Sequence, residues 1–235
     1  MASGAEEFKA FEAAGWSRRA NTYGRVTGAI TARFVDSLLD AARVGPGIRV
    51  LDVATGPGHV AAAAAARGAE PVGVDIAEGM LAVARRDHPQ LDFRPGDAEA
   101  LPFADACFDA VVGAFVLNHL PRPDIAAAEL ARVLAPGGRL CACITHPLPD
   151  AGSWRDDETY AITESYLEQR WFSGEMERKG LAFTFEGWCF PLEAYTRALE
   201  AAGLLIEAIR EPADPAGGRW ARVPMFLMWR ALNPR

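Results

Sequence analysis

The chain has 235 residues, half of them hydrophobic and 23% charged, which fits one folded domain with a sizeable core and excludes a disordered chain. Its formal net charge of −7, pI near 5.2 and lack of any basic run argue against a nucleic-acid partner, since holding phosphates takes a dense Lys/Arg face, and favour a small-molecule substrate. The start of the chain shows no cationic segment followed by an apolar stretch, and no apolar run reaches spanning length. No membrane association is therefore expected, and a cytoplasmic location follows by elimination.

In chain order, residues 1–45 read as helical, with Glu6–Ala14 and Ala29–Ala42 as the pieces. From residue 48 short apolar runs alternate with helical patterns, the signature of a parallel sheet covered on both faces. Ile48–Val53 predicts a strand that ends in the turn Thr55-Gly56-Pro57-Gly58, and His59–Arg67 predicts a helix stopped by Gly68. Strand Pro71–Asp75, helix Ala77–Arg86 and strand Leu91–Arg94 follow, then the turn Gly96-Asp97-Ala98. Phe108–Ala114, apolar on both faces, reads as a central strand. Ile125–Leu134 reads as a helix ended by Pro136-Gly137-Gly138, and Arg139–Thr145 as the next strand.

Residues 147–190 break the alternation and are rich in Trp, Tyr and Phe. The expectation there is a lid whose main helix, Thr159–Lys179, breaks near Ser173-Gly174 and carries Glu164, Glu168, Glu175 and Glu177 on a solvated face. Helix Leu192–Ala202 and strands Leu204–Arg210 and Val223–Trp229 close the chain. The Gly217-Gly218 connection is too short for a crossover helix, so the last two strands should pair antiparallel. The result is a single doubly wound α/β domain over 1–235, with an N-terminal helical segment at 1–45 and a lid insertion at 147–190.

In such sheets ligands bind beyond the carboxyl ends of the strands, where strand order reverses, so the first glycine turn is the default site. Gly56 and Gly58 would let backbone approach a ligand closely. Gly56-x-Gly58-x-x-Ala61 also satisfies a dinucleotide fingerprint, which keeps an NAD(P)-dependent oxidoreductase as a rival. Three features tilt the choice. Asp52, at the strand end, would repel a pyrophosphate and welcome an α-ammonium. Pro57 removes a backbone N–H from what would be an anion cradle. Asp75 ends the second strand, where its carboxylate can accept both hydroxyls of a ribose, and Asp97 supplies an acid suited to an adenine amino group. Together these describe S-adenosylmethionine. Asp52 as a mere helix cap and Asp97 as an ordinary turn aspartate are the plainer alternatives.

At this point the chain resembles the class I S-adenosylmethionine-dependent methyltransferases, in particular the small-molecule branch with the ubiquinone/menaquinone and natural-product enzymes. The resemblance rests on Val50-Leu51-Asp52-Val53-Ala54-Thr55-Gly56-Pro57-Gly58, Gly73-Val74-Asp75, Gly96-Asp97-Ala98-Glu99-Ala100-Leu101-Pro102-Phe103, Phe108-Asp109-Ala110-Val111-Val112 and Arg132-Val133-Leu134-Ala135-Pro136-Gly137-Gly138. It implies a Rossmann-like sheet of seven strands with the last antiparallel. It further implies cofactor contacts at Ala54, Ile76, Met80, Gly96, Ala98 and Ala114, and Tyr23 covering the methionine end. Ala54 stands where many relatives carry glycine.

Methyl transfer from a sulfonium needs alignment and dryness first, and a base only where the acceptor must lose a proton. His119, after the fourth strand, and His146, after the fifth, are the candidate bases; His59 and His88 read as packing or surface residues. Phe115 and the lid residues Trp154, Trp171 and Trp188 are the candidate acceptor contacts, with a lid-internal core as the plainer reading. The four cysteines read as core residues, with Cys141 and Cys143 on one face of their strand, and no metal is expected. The acceptor is expected to be small and aromatic or apolar, methylated at O, N or C in secondary or cofactor metabolism. A non-catalytic cofactor-binding protein is the second rival, and a homodimer is left open.

Overall fold

The computed structural model describes residues 2–26, 28–156, 158–178, 181–212 and 217–235. In the N-terminal segment, α1 (Ala2–Arg19) is longer than the expected Glu6–Ala14 helix. A 3₁₀ turn at Ala20–Thr22 leads into α2 (Tyr23–Val26), and the expected helix over Ala29–Ala42 is instead α3 (Gly28–Thr31) and α4 (Val35–Ala41), divided by a 3₁₀ turn at Ala32–Phe34.

The repeating unit follows as β1 (Arg49–Val53), α5 (His59–Ala66), β2 (Glu70–Asp75), α6 (Glu78–Asp87), β3 (Asp92–Pro95), β4 (Phe108–Ala114), α7 (Pro123–Val133) and β5 (Leu134–Thr145). The insertion 147–190 holds β6 (Gly152–Trp154), β7 (Tyr160–Ile162), β8 (Arg170–Arg178) and β9 (Leu181–Cys189). The chain ends with α8 (Leu192–Ala201), β10 (Leu205–Arg210) and β11 (Phe226–Leu232).

Seven strands form one sheet in the order β10-β11-β5-β4-β1-β2-β3. Pairs β5–β4, β4–β1, β1–β2 and β2–β3 are parallel, and only β11 runs against its neighbours. The antiparallel last strand is as expected, although it starts three residues later than Val223. Because strand side chains alternate faces, each central strand feeds two cores. Val50, Ala110, Val112, Cys141 and Cys143 pack towards Leu38 and Leu39 of α4 and Val60 and Ala64 of α5. Leu51, Val111, Leu140, Ala142 and Ile144 pack towards Leu130 of α7 and Leu199 of α8. Burial pushes both thiols, Cys141 and Cys143, up to about 12, so they sit in the core as neutral apolar groups.

Three expectations are corrected. Thr159–Lys179 is not a helix: β8 and β9 form an antiparallel hairpin in which Trp171 lies opposite Trp188. Aromatic cross-strand pairing there outweighs the helix propensity of the glutamates. Glu164 and Glu168 are exposed in the segment before the hairpin, and Glu175 and Glu177 lie on β8, so no helix face unites them. Pro136-Gly137-Gly138 lies inside β5, which begins at Leu134, rather than between helix and strand.

Strand order reverses between β1 and β4, and the crevice at their carboxyl ends is where the fold exposes backbone to a ligand. Helix α1 lies across that edge, resting on α6 where only glycine fits. A Cβ on Gly79 would stand 2.6 Å from Ser17 Cα, and the Gly79 N–H donates to Ser17 Oγ at 3.1 Å. No helix among the described residues is long and apolar enough to cross a membrane.

Ala54, the residue after β1, adopts φ +55°, a left-handed conformation that disfavours a Cβ. Relief of about 1–2 kcal/mol of that strain exceeds the roughly 0.5–1 kcal/mol of added chain entropy that glycine brings. Ala54→Gly is therefore expected to raise the urea midpoint, by about 0.5–1 kcal/mol of stability, with m unchanged; a lower midpoint would overturn the strain assignment.

Candidate active site

The turn after β1 is held from within by two buried carboxylates. Asp52 is 1% exposed, and its Oδ2 accepts the Thr55 hydroxyl at 2.6 Å and the Ala61 N–H at 3.0 Å. The second contact satisfies an orphan amide in the first turn of α5, so Asp52 does cap that helix. Asp75 is 7% exposed; its Oδ2 accepts the Gly56 N–H and its Oδ1 the Ala77 N–H, both at 2.8 Å. Burial pushes Asp52 up to about 7 and Asp75 up to about 6 against these hydrogen bonds, and the charge of Asp75 adds to the rise at Asp52.

A cleft opens at the carboxyl ends of β1, β2, β3 and β4, with about 410 Å³ of empty space when its open mouth is included. Ala54, Asp75, Ile76, Gly96, Asp97, Ala98 and His119 all line it, each expected at this edge. Asp97 is not free. Its Oδ2 holds the Lys9 ammonium at 2.7 Å and its Oδ1 accepts the Glu99 N–H at 2.9 Å. Lys9 also reaches Glu6 at 2.7 Å, and Glu99, with its side chain 1% exposed, is held by Arg122. Burial alone would lower the Lys9 pKa; the hydrogen bonds to Asp97 and Glu6 outweigh it and raise the pKa instead.

The other expected residues lie elsewhere. Gly58, at φ +85°, leaves room not for a ligand but for Phe93, whose ring would stand 2.7 Å from a Cβ there. Gly56, at φ +55°, spends its N–H on Asp75. Met80 is buried beneath α1 in a small cluster with Ala20 and Ala77, against which Trp16 and Tyr23 pack. The Tyr23 hydroxyl lies 3.4 Å from Thr31 Oγ1; its pKa is raised by burial and by the charges of Asp75 and Asp52, which places it beside the turn. Ala114 packs on the core shared with α4, and Phe115, at φ +64°, stacks edge-on with Phe34 and Phe226.

His146 is buried rather than set in the cleft. Its Nδ1 accepts the Leu148 N–H at 3.0 Å and its Nε2 lies 2.9 Å from Glu211, so both ring nitrogens are engaged. Its pKa is lowered by burial, against the pull of Glu211. These contacts correct the expectation of a base at His146, which has no lone pair left to take a proton. The three tryptophans form no common pocket either. Trp154 packs with Tyr160 and Trp220, whereas Trp171 joins Trp188 and Phe8 of α1. His59 is exposed beside Tyr23.

Sequence reasoning missed Lys9 and Glu12 of α1, and Val53, Val116 and Leu120 of the cleft wall. Glu12 Oε2 lies 3.0 Å from His119 Nδ1 and accepts the Trp16 Nε1–H at 2.9 Å. A Lys and a Glu three residues apart on a helix look like solvated charges until the helix is docked.

Residues 51–142, from β1 to the middle of β5, match the family described as a methyltransferase domain. Over that segment the chain is similar to a methyltransferase domain. A demethylmenaquinone methyltransferase of Renibacterium salmoninarum is 45% identical over 118 residues, which make up 50% of this chain and 50% of that one. One from Thermus thermophilus is 46% identical over 112 residues, covering 45% and 50%. The chain thus spans about half the length of these curated relatives. The solved structure of an S-adenosylmethionine-dependent methyltransferase from Mesorhizobium loti shares the fold with a TM-score of 0.69 at 23% identity, over 84% of this chain and 96% of that one. The methyltransferase domain's glycine turn and acidic strand ends lie inside the matched segment, while α1 and the lid lie outside it.

The raised carboxyl pKa values have a consequence for stability. The unfolded chain releases these protons near 3.8, whereas native Asp75 and Asp52 keep theirs to about 6 and about 7. Between those limits the native state binds more protons, so both groups make stability fall as pH rises from about 4 to about 7. Asp52→Asn keeps an oxygen for Thr55 and Ala61 but does not titrate. Its melting temperature should fall less over that interval than wild type's, and equal slopes would refute the assignment.

Proposed function

We propose that the protein is an S-adenosylmethionine-dependent methyltransferase acting on a small aromatic or apolar acceptor. The observation that carries the reading is Asp75, a buried carboxylate fixed by two backbone N–H groups at the rim of the cleft, with Asp97 at the next strand end on the same cleft. A pyrophosphate would meet two acids there, whereas a ribose diol finds an acceptor at Asp75 and an adenine amino group one at Asp97. Lys9 has to leave Asp97 for the second contact to form. Asp52 serves this site indirectly, by fixing the turn through Thr55 and Ala61.

When bound, S-adenosylmethionine supplies an activated methyl group, so the chain's own work is alignment and exclusion of water, which can contribute about 7–11 kcal/mol. Helix α1 lines the cleft with Lys9 and Glu12 and meets the β8–β9 hairpin through Phe8 and Trp171, ring centroids 5.6 Å apart. His119 is the one of the two expected bases that lines the cleft. The similarity to the demethylmenaquinone methyltransferases of Renibacterium salmoninarum and Thermus thermophilus supports a quinol-type ring as acceptor, in cofactor or secondary metabolism.

Calorimetry with adenosylhomocysteine is expected to show one site, weakened about 10-fold or more by Asp75→Ala, while NADH gives no heat. Heat with NADH and none with adenosylhomocysteine would replace the reading with the oxidoreductase. Labelled cofactor should pass its methyl group to 1,4-naphthoquinol or to a member of a panel of phenols, indoles and amines. Binding without transfer to any of them would make the protein a non-catalytic binder.

A further inference from the structure

His119 stands in the turn Leu117–His119 after β4, and the only described polar partner of its side chain comes from 107 residues away. Glu12 Oε2 lies 3.0 Å from Nδ1, with the Glu12 side chain 14% and the His119 side chain 26% exposed. The same oxygen accepts the Trp16 Nε1–H, and the Trp16 ring stands edge-on to the imidazole at 5.4 Å. An ionised carboxylate only accepts hydrogen bonds, so the hydrogen between the two residues belongs to Nδ1. A neutral imidazole carries one hydrogen, which leaves Nε2 with its lone pair and no partner among the described residues.

His146 has the opposite arrangement. There Nδ1 accepts from the Leu148 backbone, so Nε2 carries the hydrogen and donates to Glu211. Two histidines at one sheet edge, each beside a glutamate, are thus locked in opposite tautomers, and only His119 lines the cleft.

We propose that Glu12 is a positioning residue for His119: it holds the imidazole as the Nδ1–H tautomer and presents Nε2 as the base of methyl transfer. The proposal rests on the methyltransferase reading above. In the step it serves, the acceptor's proton moves to Nε2 and the acceptor's freed electron pair forms the new bond to the methyl carbon. The pair of the broken carbon–sulfur bond stays on sulfur. The resulting imidazolium keeps its Nδ1–H on Glu12, whose negative charge faces the positive charge just formed. Helix α1 therefore supplies part of the reacting machinery and not only a cover, and it does so from outside the segment shared with the family.

The tautomer is read directly by nitrogen-15 NMR of histidine-labelled protein at a pH where the rings are neutral, with no cofactor or acceptor added. His119 should show hydrogen on Nδ1 and a bare Nε2, and His146 the reverse, as an internal reference. Glu12→Ala should shift His119 towards the Nε2–H form. Glu12→Gln, which keeps the volume should alanine fail to fold, should give a mixture, because an amide can turn either end to Nδ1. Hydrogen on Nε2 of His119 in the wild type, or no change in the variants, would overturn the proposal.

With labelled cofactor and 1,4-naphthoquinol, Glu12→Gln should lose about 10-fold or more in turnover with the cofactor KM within about twofold, and should add nothing in a His119→Ala background. Additive losses would assign Glu12 to docking α1 instead and overturn the proposal. Absence of transfer by the wild type counts against the reading of function, while the tautomer measurement still decides the placement of the proton.

Discussion

The hydrogen bonds from the Gly56 and Ala77 amides to the Asp75 carboxylate tie the end of β2 to the turn after β1, and the rest of the site is arranged around that tie. A carboxylate can sit 93% out of water there because backbone amides replace its hydration. Asp52 does the corresponding work one strand over, joining Thr55 and the first turn of α5. Two acids this close and this buried are held short of full ionisation. A cationic ligand would complete what the amides begin, and an anionic one would have to displace it.

The covers over the site obey a different logic. Helix α1 is fastened by a glycine contact on α6, by Lys9 to Asp97 and by Glu12 to His119, so each fastening reaches a different strand end. The hairpin β8–β9 touches α1 through Phe8 and Trp171 and the core through Trp188. Trp171 and Trp188 thus seat the hairpin on α1 and on the core, while Trp154 packs with Tyr160 and Trp220.

Legibility in the sequence tracked the range of the interactions. Strands such as Ile48–Val53 and Phe108–Ala114 declare themselves by local apolar runs, and the glycine turn by its spacing, so these elements and the acids at their ends could be read in advance. The hairpin was misread because Glu-rich segments look helical until cross-strand aromatic pairs are known. Gly58 was assigned to a ligand when the close neighbour is Phe93, two strands away. Lys9 and Glu12 find partners 88 and 107 residues on, contacts that no local pattern encodes. His146 shows the converse limit: its position at a strand end was legible, but the backbone amide that claims its lone pair was not.

The ammonium of Lys9 occupies the corner at Asp97 as a surrogate guest. On the proposed reading, occupation of that corner is an exchange of one donor for another rather than the filling of a vacancy. That exchange can proceed with the helix in place, because its fastenings at Gly79 and His119 are separate contacts.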